Sequence, residues 1–276
     1  MTSGTAPSRS AAAVQTFRSV LSISAVVLFI ACLVPPLSSS ARRYEFVEAL
    51  QFTLLAVVVP VLVVSGAPWR RLGLAAHREL VDEAHVAVPA GELRPVDRLA
   101  RGRRRHPEAI RSVLFAATYL AVVILWRIPL TVDALARHPW LLAAEAVTLV
   151  VGSVGLWLEL IESPPLMPRL ARPHRVALAA VSMWVIWVLA YLVGLAHGTW
   201  YHGYVHTPGH GYSVSADQQL TSGIMWFVSG CAFIPVVFWN LIRWLQSEEN
   251  PDEELYRLVR QERTRGRPVD TGTNPP

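Results

Sequence analysis

The chain has 276 residues, of which 53% are hydrophobic and only 16% charged, and its mean hydropathy is +0.36. Soluble domains carry about a quarter charged residues, so this composition excludes an ordinary water-soluble globule. All 25 basic residues are arginines, and most fall between long apolar runs, as in the cytoplasmic loops of membrane proteins. The charge therefore indicates a lipid bilayer as partner, and not nucleic acid.

Six apolar runs are long enough to cross a bilayer, which needs about 20 mostly apolar residues. Lipid offers the backbone no hydrogen-bond partners, and the runs lack the alternation of barrel strands, so each is predicted to be an α-helix. The sequence thus predicts an all-α, polytopic membrane protein, a bundle of six transmembrane helices. The spans are placed at about 19–37, 46–64, 112–130, 140–160, 176–196 and 220–242.

The arginines also predict which way the bundle faces. With both termini in the cytoplasm, 21 of the 25 arginines lie in inner segments, as the positive-inside rule requires. The expected parts are a cytoplasmic N-terminal segment (1–18), a transmembrane domain (19–242) with a basic cytoplasmic loop (65–111), and a charged cytoplasmic tail (243–276). No phosphate-binding glycine loop, Walker lysine or nucleophile elbow occurs, so we expect a protein that is not an enzyme.

Several polar side chains fall inside the predicted spans, at a similar depth near the outer face. They form an expected intramembrane polar cluster of Glu48, Gln51, Arg127 and Glu145. Charges in a span are costly and usually have a partner, so we hypothesise that Arg127 pairs with Glu145, with Glu48 as the other candidate. Three interpretations stay open: charge neutralisation that sets helix packing, a substrate or ion site that opens outward, and snorkelling to the interface.

Histidines are concentrated in the predicted outer loop between the fifth and sixth spans, beside three aromatic residues. They are His197, His202, His206 and His210. Imidazole suits copper and zinc, so the four are candidate metal ligands, although Pro208 interrupts any single helical face. A histidine-rich loop without metal is the alternative. Met225 and Cys231 are soft ligands in principle, but their spacing puts them on different helix faces and favours packing roles.

The outer start of the sixth span carries the most specific motif of the chain. Residues 217–226 read D-Q-Q-L-T-S-G-I-M-W and resemble the D-Q-Q-L … I-M-W signature of the CtaG-type cytochrome c oxidase assembly factors. The motif residues are Asp217, Gln218, Gln219, Met225 and Trp226. Residues 125–129, L-W-R-I-P, are similar to that family's W-H-x-P stretch, and Gln51, Pro60 and the G-A-P of 66–68 are similar to its second-helix pattern.

The resemblance covers about residues 40–260, but the histidines that the family carries in its membrane helices are replaced. Phe52 stands where the family's Q-H pair would put a histidine, and Arg127 replaces the histidine of W-H-x-P. Leu142 and Ala146 occupy the histidine positions of the H-x-x-E-H pattern around Glu145. We therefore expect a divergent member of the family.

The resemblance implies a membrane protein that assists assembly of a respiratory haem–copper (cytochrome c) oxidase in the plasma membrane of a bacterium. It further implies copper handling on the outer face, with oxidase subunits or copper chaperones as partners besides the bilayer. Because the family's bundle histidines are missing here, the loop histidines are the better copper candidates. Two alternatives stay open: a small membrane transporter or channel with an outward-facing polar site, and a structural membrane interaction protein.

Overall fold

The structure is a computed structural model, and it describes residues 9–70, 109–164, 166–204, 211 and 213–248. Within these ranges every regular element is a helix, apart from one isolated bridge between Ser163 and Leu166. Six helices in the described part of the chain are long and apolar enough to cross a membrane. They are Ala13–Leu33, Glu45–Gly66, Ile110–Arg127, Leu141–Leu160, Arg172–Gly194 and Val214–Gln246. The predicted all-α, six-span membrane protein is confirmed.

The helices are numbered here in chain order. They are α1 (Arg9–Leu33), α2 (Leu37–Ala41), α3 (Glu45–Thr53), α4 (Val59–Gly66), α5 (Ala109–Arg127), α6 (Pro129–Arg137), α7 (Leu141–Leu160), α8 (Arg172–Gly194) and α9 (Val214–Glu248). A π-helical segment, Leu54–Val58, joins α3 to α4 into the second span. Short 3-10 turns cover Pro68–Arg70 and His202–Tyr204.

Prolines explain why two of the observed helices end before the predicted ends of their spans. The first span ends at Leu33, because Pro35 and Pro36 follow it. The third span ends at Arg127, because Pro129 begins the short helix α6. Proline lacks the N–H that an α-helix requires, and it disfavours helical backbone in the residue before it.

The last span continues past its predicted end at residue 242, because α9 runs to Glu248. The start of the predicted tail is therefore part of the same helix. The remainder of the tail (249–276), residues 1–8 of the N-terminal segment and residues 71–108 of the basic loop lie outside the described residues.

The second span lies at the centre of the bundle, and a larger share of it is buried than of any other span. Its helix widens into the π turn Leu54–Val58 directly before Pro60. Because Pro60 cannot donate to the carbonyl four residues earlier and its ring would clash there, the wider turn relieves the conflict. Phe52 of this span shares the apolar core with Trp157 of α7 and Phe233 of α9, whose rings stack with centroids 4.7 Å apart.

The other spans surround this central helix. α1 packs on α4, α5 packs on α7, and α9 packs along α8 and against α3. α1 and α4 approach so closely that a Cβ atom at Gly66 would lie 2.8 Å from the backbone nitrogen of Ser22. Large apolar side chains such as Trp184 and Phe227 are exposed on the outside of the bundle, where lipid would cover them.

Candidate functional site

Arg127, the last residue of α5, is the centre of a buried polar cluster at the predicted outer end of the bundle. Its side chain is fully buried and forms an ion pair with Glu48 of α3. The guanidinium also lies 4.1 Å from the centroid of the Phe52 ring, in cation–π geometry. The hypothesis that Arg127 pairs with Glu145 is therefore wrong, because the packing of α3 brings Glu48 to the guanidinium instead.

Carboxyl groups outnumber cations in this cluster. Glu45, Glu48 and Glu145 are all buried, and Arg127 is the buried cation among them. Within the described residues, each of the three has one carboxyl oxygen without a hydrogen-bond partner. Sequence reasoning missed Glu45, although its position three residues before Glu48 places both on one helix face.

A small cavity adjoins these carboxyl groups. Its lining includes Glu48, Gln51 and Glu145, together with Leu142 and Tyr204. The space open to a water-sized sphere is about 20 Å³, slightly more than a single water requires. The structure thus brings three of the four predicted cluster residues to one cavity that can hold a water molecule or a small ion.

Asp217, in the first turn of α9, caps a different helix. Its carboxylate accepts hydrogen bonds from the backbone N–H groups of Glu45 (3.0 Å) and Phe46 (2.8 Å), the first two residues of α3. The residue that precedes α3, Tyr44, supplies no side-chain cap. A carboxylate satisfies two otherwise unpaired N–H groups and complements the positive end of the helix dipole. Asp217 thereby joins the sixth span to the second.

Gln218 joins α9 to the end of α8 in a similar way. Its side-chain amide donates to the carbonyl of Val193 at 2.6 Å, in the last turn of α8. Its amide oxygen accepts the N–H of Trp200 at 3.3 Å, in the loop that follows. The neighbouring Gln219 is exposed.

The remaining motif residues pack and do not form a ligand set. Met225 is fully buried, with its sulfur 3.9 Å from Nη1 of Arg127. Trp226 is half-exposed, and its ring lies 5.1 Å from that of Trp187. Cys231 is exposed on the surface of α9, so the two soft ligands of this span do not meet.

Two tyrosines that sequence reasoning did not single out lie at the predicted outer end of the bundle. Tyr201 and Tyr204 are buried. The Tyr201 hydroxyl donates to the backbone carbonyl of Arg127 at 3.0 Å, and the Tyr204 hydroxyl donates to that of Ala41 at 3.3 Å. Burial raises the pKa of both phenols well above the ordinary value, so they stay neutral and act as hydrogen-bond donors. The sequence offered one signal for this role, which is two tyrosines three positions apart in a predicted loop.

Asp133 of α6 holds the turn that lies between these tyrosines. One of its carboxylate oxygens accepts the N–H of Gly203 at 2.8 Å. The other lies 3.9 Å from Nδ1 of His202, whose imidazole is mostly exposed. The turn is thus attached to the bundle by the Gly203 backbone and by the hydroxyl groups of Tyr201 and Tyr204.

The histidine loop is only partly within the described residues. His197 and His202 are described and exposed, whereas His206 and His210 lie outside the described ranges. In the described part of the chain, no group of three or more His, Cys, Asp or Glu side chains is arranged to hold a metal ion. The four-histidine metal site stays a prediction.

A family model matches the chain over most of its length. It is that of the cytochrome c oxidase caa3 assembly factor (Caa3_CtaG), and it covers residues 2–247. The chain belongs to this family. The resemblance seen in the D-Q-Q-L … I-M-W motif is confirmed, and the chain is a multi-pass membrane protein of an oxidase assembly family. No curated protein and no solved structure matches it.

In this assembly factor, the positions similar to the family's histidine motifs surround the buried cluster. Phe52 contacts Arg127, Leu142 lines the small cavity, and Ala146 is buried. None of these side chains carries a nitrogen or sulfur ligand for copper. Arg127, at the fourth of these positions, stays protonated and so cannot coordinate a metal ion. The four positions similar to the family's histidines therefore supply no copper ligand in this chain.

Proposed function

We propose that this assembly factor handles copper as cargo on the outer face of the membrane, through the histidine segment 197–210. His202 carries the proposal. Its Nδ1 lies 3.9 Å from Oδ2 of Asp133, while 75% of its side-chain surface is exposed. Metal-binding histidines usually donate one ring N–H to a carboxylate or carbonyl and use the other nitrogen for the metal, and a small rotation of the exposed imidazole would bring it to Asp133 for this purpose.

The backbone that carries His202 is held firmly to the bundle, which supports its use as a ligand. Tyr201 and Tyr204 are buried on either side of it, and Gly203 is hydrogen-bonded to Asp133. A ligand presented by an ordered backbone loses little conformational freedom when it binds metal. The next two histidines of the segment follow four and eight residues later in the sequence.

The lack of copper ligands at the positions similar to the family's histidines also favours the histidine segment as the place of copper handling. Cargo has to be released again, which is easier from a site with few imidazole ligands than from a closed four-ligand site. In this proposal, the receiving partners are oxidase subunits or copper chaperones on the outer face of a bacterial plasma membrane. The protein acts by binding and delivery, and not as an enzyme.

The test is complementation of a strain that lacks this protein, with oxidase activity and oxidase haem spectra measured at limiting and at excess copper. We expect His202→Ala to lower oxidase activity at limiting copper and to recover with excess copper, because mass action restores a weakened site. Asp133→Asn keeps the acceptor for the Gly203 N–H but removes the negative charge near the imidazole. It should therefore lower oxidase activity at limiting copper less than His202→Ala does.

His174→Ala is the matched control, since His174 is exposed at the opposite end of α8. It should leave oxidase activity unchanged at every copper level. The proposal fails if His202→Ala behaves like the wild type throughout. It also fails if the lost activity does not return with excess copper while the amount of protein in the membrane is normal.

A further inference from the structure

A second and larger cavity lies at the opposite end of the bundle, which the arginine distribution assigns to the cytoplasmic side. It is formed where the end of α7, the start of α8 and the second half of α9 meet. Its volume is about 350 Å³, within the range of pockets that bind small organic ligands. This cavity is unrelated to the outer cluster and to the histidine segment.

Two arginines give the cavity a positive rim. Arg172 is the first residue of α8, and Arg243 lies on α9. Nη1 of Arg172 donates to the backbone carbonyl of Arg243 at 2.9 Å, which fixes the two helices together at this point. The acidic residue in the lining, Glu162, is paired with Arg175 at 3.2 Å and so does not cancel the rim charge.

The start of α8 adds to the positive character of this rim. The residue before the helix, Ala171, provides no side-chain cap, and the first turn contains no acidic residue. The first N–H groups of a helix have no partners within the helix, and they favour an anion. The rim therefore combines two guanidinium groups with an uncapped helix start, of which Arg172 lines the cavity.

The inner part of the cavity is apolar, and an aromatic side chain stands at its mouth. Leu160, Ile161, Pro235 and Val236 line its wall. Trp239 is exposed beside them, and the guanidinium of Arg243 lies 4.8 Å from the Trp239 ring centroid. Tryptophan over an apolar wall with arginines above is the arrangement found where helices meet the lipid headgroup layer.

We propose that this cavity binds one anionic phospholipid of the inner leaflet, with its phosphate between Arg172 and Arg243 and an acyl chain along the apolar wall. Charge selects the anionic headgroup, since two arginines face one phosphate. The apolar wall selects a lipid over a free anion, because inorganic phosphate cannot use it. The bound lipid would join α7, α8 and α9 at their inner ends.

The experiment uses the purified full-length chain in detergent, stripped of lipid and then given phosphatidylglycerol, phosphatidylcholine or inorganic phosphate. Native mass spectrometry counts the retained lipid, and thermal melting reports stabilisation. We expect one phosphatidylglycerol to be retained, with little phosphatidylcholine and no stabilisation by phosphate. Arg243→Gln should weaken phosphatidylglycerol binding about fivefold, the effect of one arginine near an anionic lipid. Arg243→Lys keeps the charge and should lose much less.

Arg43→Gln is the matched control, because Arg43 is exposed at the other end of the bundle. It should leave phosphatidylglycerol retention unchanged. Gel filtration of each variant shows whether it folds, and if Arg243→Gln does not fold, the preference of the unchanged chain for phosphatidylglycerol over phosphatidylcholine still tests the proposal. Equal retention of the two lipids, or an equal loss in Arg43→Gln, would overturn the proposal. Stabilisation by inorganic phosphate that equals that by phosphatidylglycerol would make the cavity a site for a soluble anion instead.

Discussion

The ion pair between Arg127 and Glu48 should be the most sensitive charged contact of the protein. Both side chains are almost completely buried between spans, so little solvent can compensate either charge when its partner is removed. Removing one member of a buried pair typically costs about 3–5 kcal/mol, because the other charge is left uncompensated. Arg127→Met also loses the contact with the Phe52 ring, about 1 kcal/mol more. Glu48→Gln should also lower the free energy of unfolding by about 3–5 kcal/mol, because it leaves the arginine charge uncompensated.

The double variant separates this pair from the other carboxyl groups. Arg127→Met combined with Glu48→Gln leaves no unpaired charge from this pair, so its cost should be about 2–3 kcal/mol smaller than the sum of the single costs. The matched cycle uses Glu145→Gln in place of Glu48→Gln. Glu145 is equally buried but makes no ion pair with Arg127, and one of its oxygens has no partner among the described residues. Its coupling to Arg127 should therefore be much smaller.

The free energy of unfolding can be measured by titrating the purified variants with a denaturing detergent, with the amount of folded protein in the membrane as a second readout. A larger coupling energy for the Arg127–Glu145 cycle than for the Arg127–Glu48 cycle would refute the pairing described above. Strictly additive costs in both cycles would show that the guanidinium is not held by either carboxylate.

Three further outcomes are expected, two from contacts between spans and one from the predicted orientation. Asp217→Ala leaves two backbone N–H groups of α3 without their acceptor and should cost about 1–2 kcal/mol of stability, whereas Gln219→Ala, at the exposed neighbour, should cost almost nothing. Gly66→Ala forces α1 away from α4 and should cost about 1–3 kcal/mol, while Gly223→Ala, which has open space, should be neutral or stabilising. A reporter fused to the C-terminus should be active in the cytoplasm, and activity outside would contradict the predicted orientation.

The membrane architecture could be predicted from the sequence because it depends on local quantities. Hydropathy over about 20 residues identifies a span, although the predicted first and third spans ran past the prolines at positions 35, 36 and 129, before which the helices end. The common depth of Glu48, Arg127 and Glu145 also followed from counting along each helix. These properties require no knowledge of which helices are neighbours.

The partners within the cluster could not be predicted, because they depend on lateral packing and helix rotation. Glu48 and Glu145 have the same expected depth, and only the position of α3 against α5 and α9 decides which one meets Arg127. The cap that Asp217 provides joins residues 171 and 172 positions apart in the sequence. The sequence motif shows that Asp217 lies at the start of its own helix. It does not show that the carboxylate caps the start of a different helix.

The family motif at 217–226 therefore identifies the fold more directly than it identifies copper chemistry. Asp217 and Gln218 hydrogen-bond backbone groups of the second and fifth spans, and this role does not depend on any metal. A chain can keep these two residues to dock its helices while a phenylalanine and an arginine occupy the positions similar to the family's histidines. At these positions an ion pair between Arg127 and Glu48 joins the third span to the second. The proposal of copper handling therefore depends on the segment that contains His202, and not on Asp217 and Gln218 of the motif.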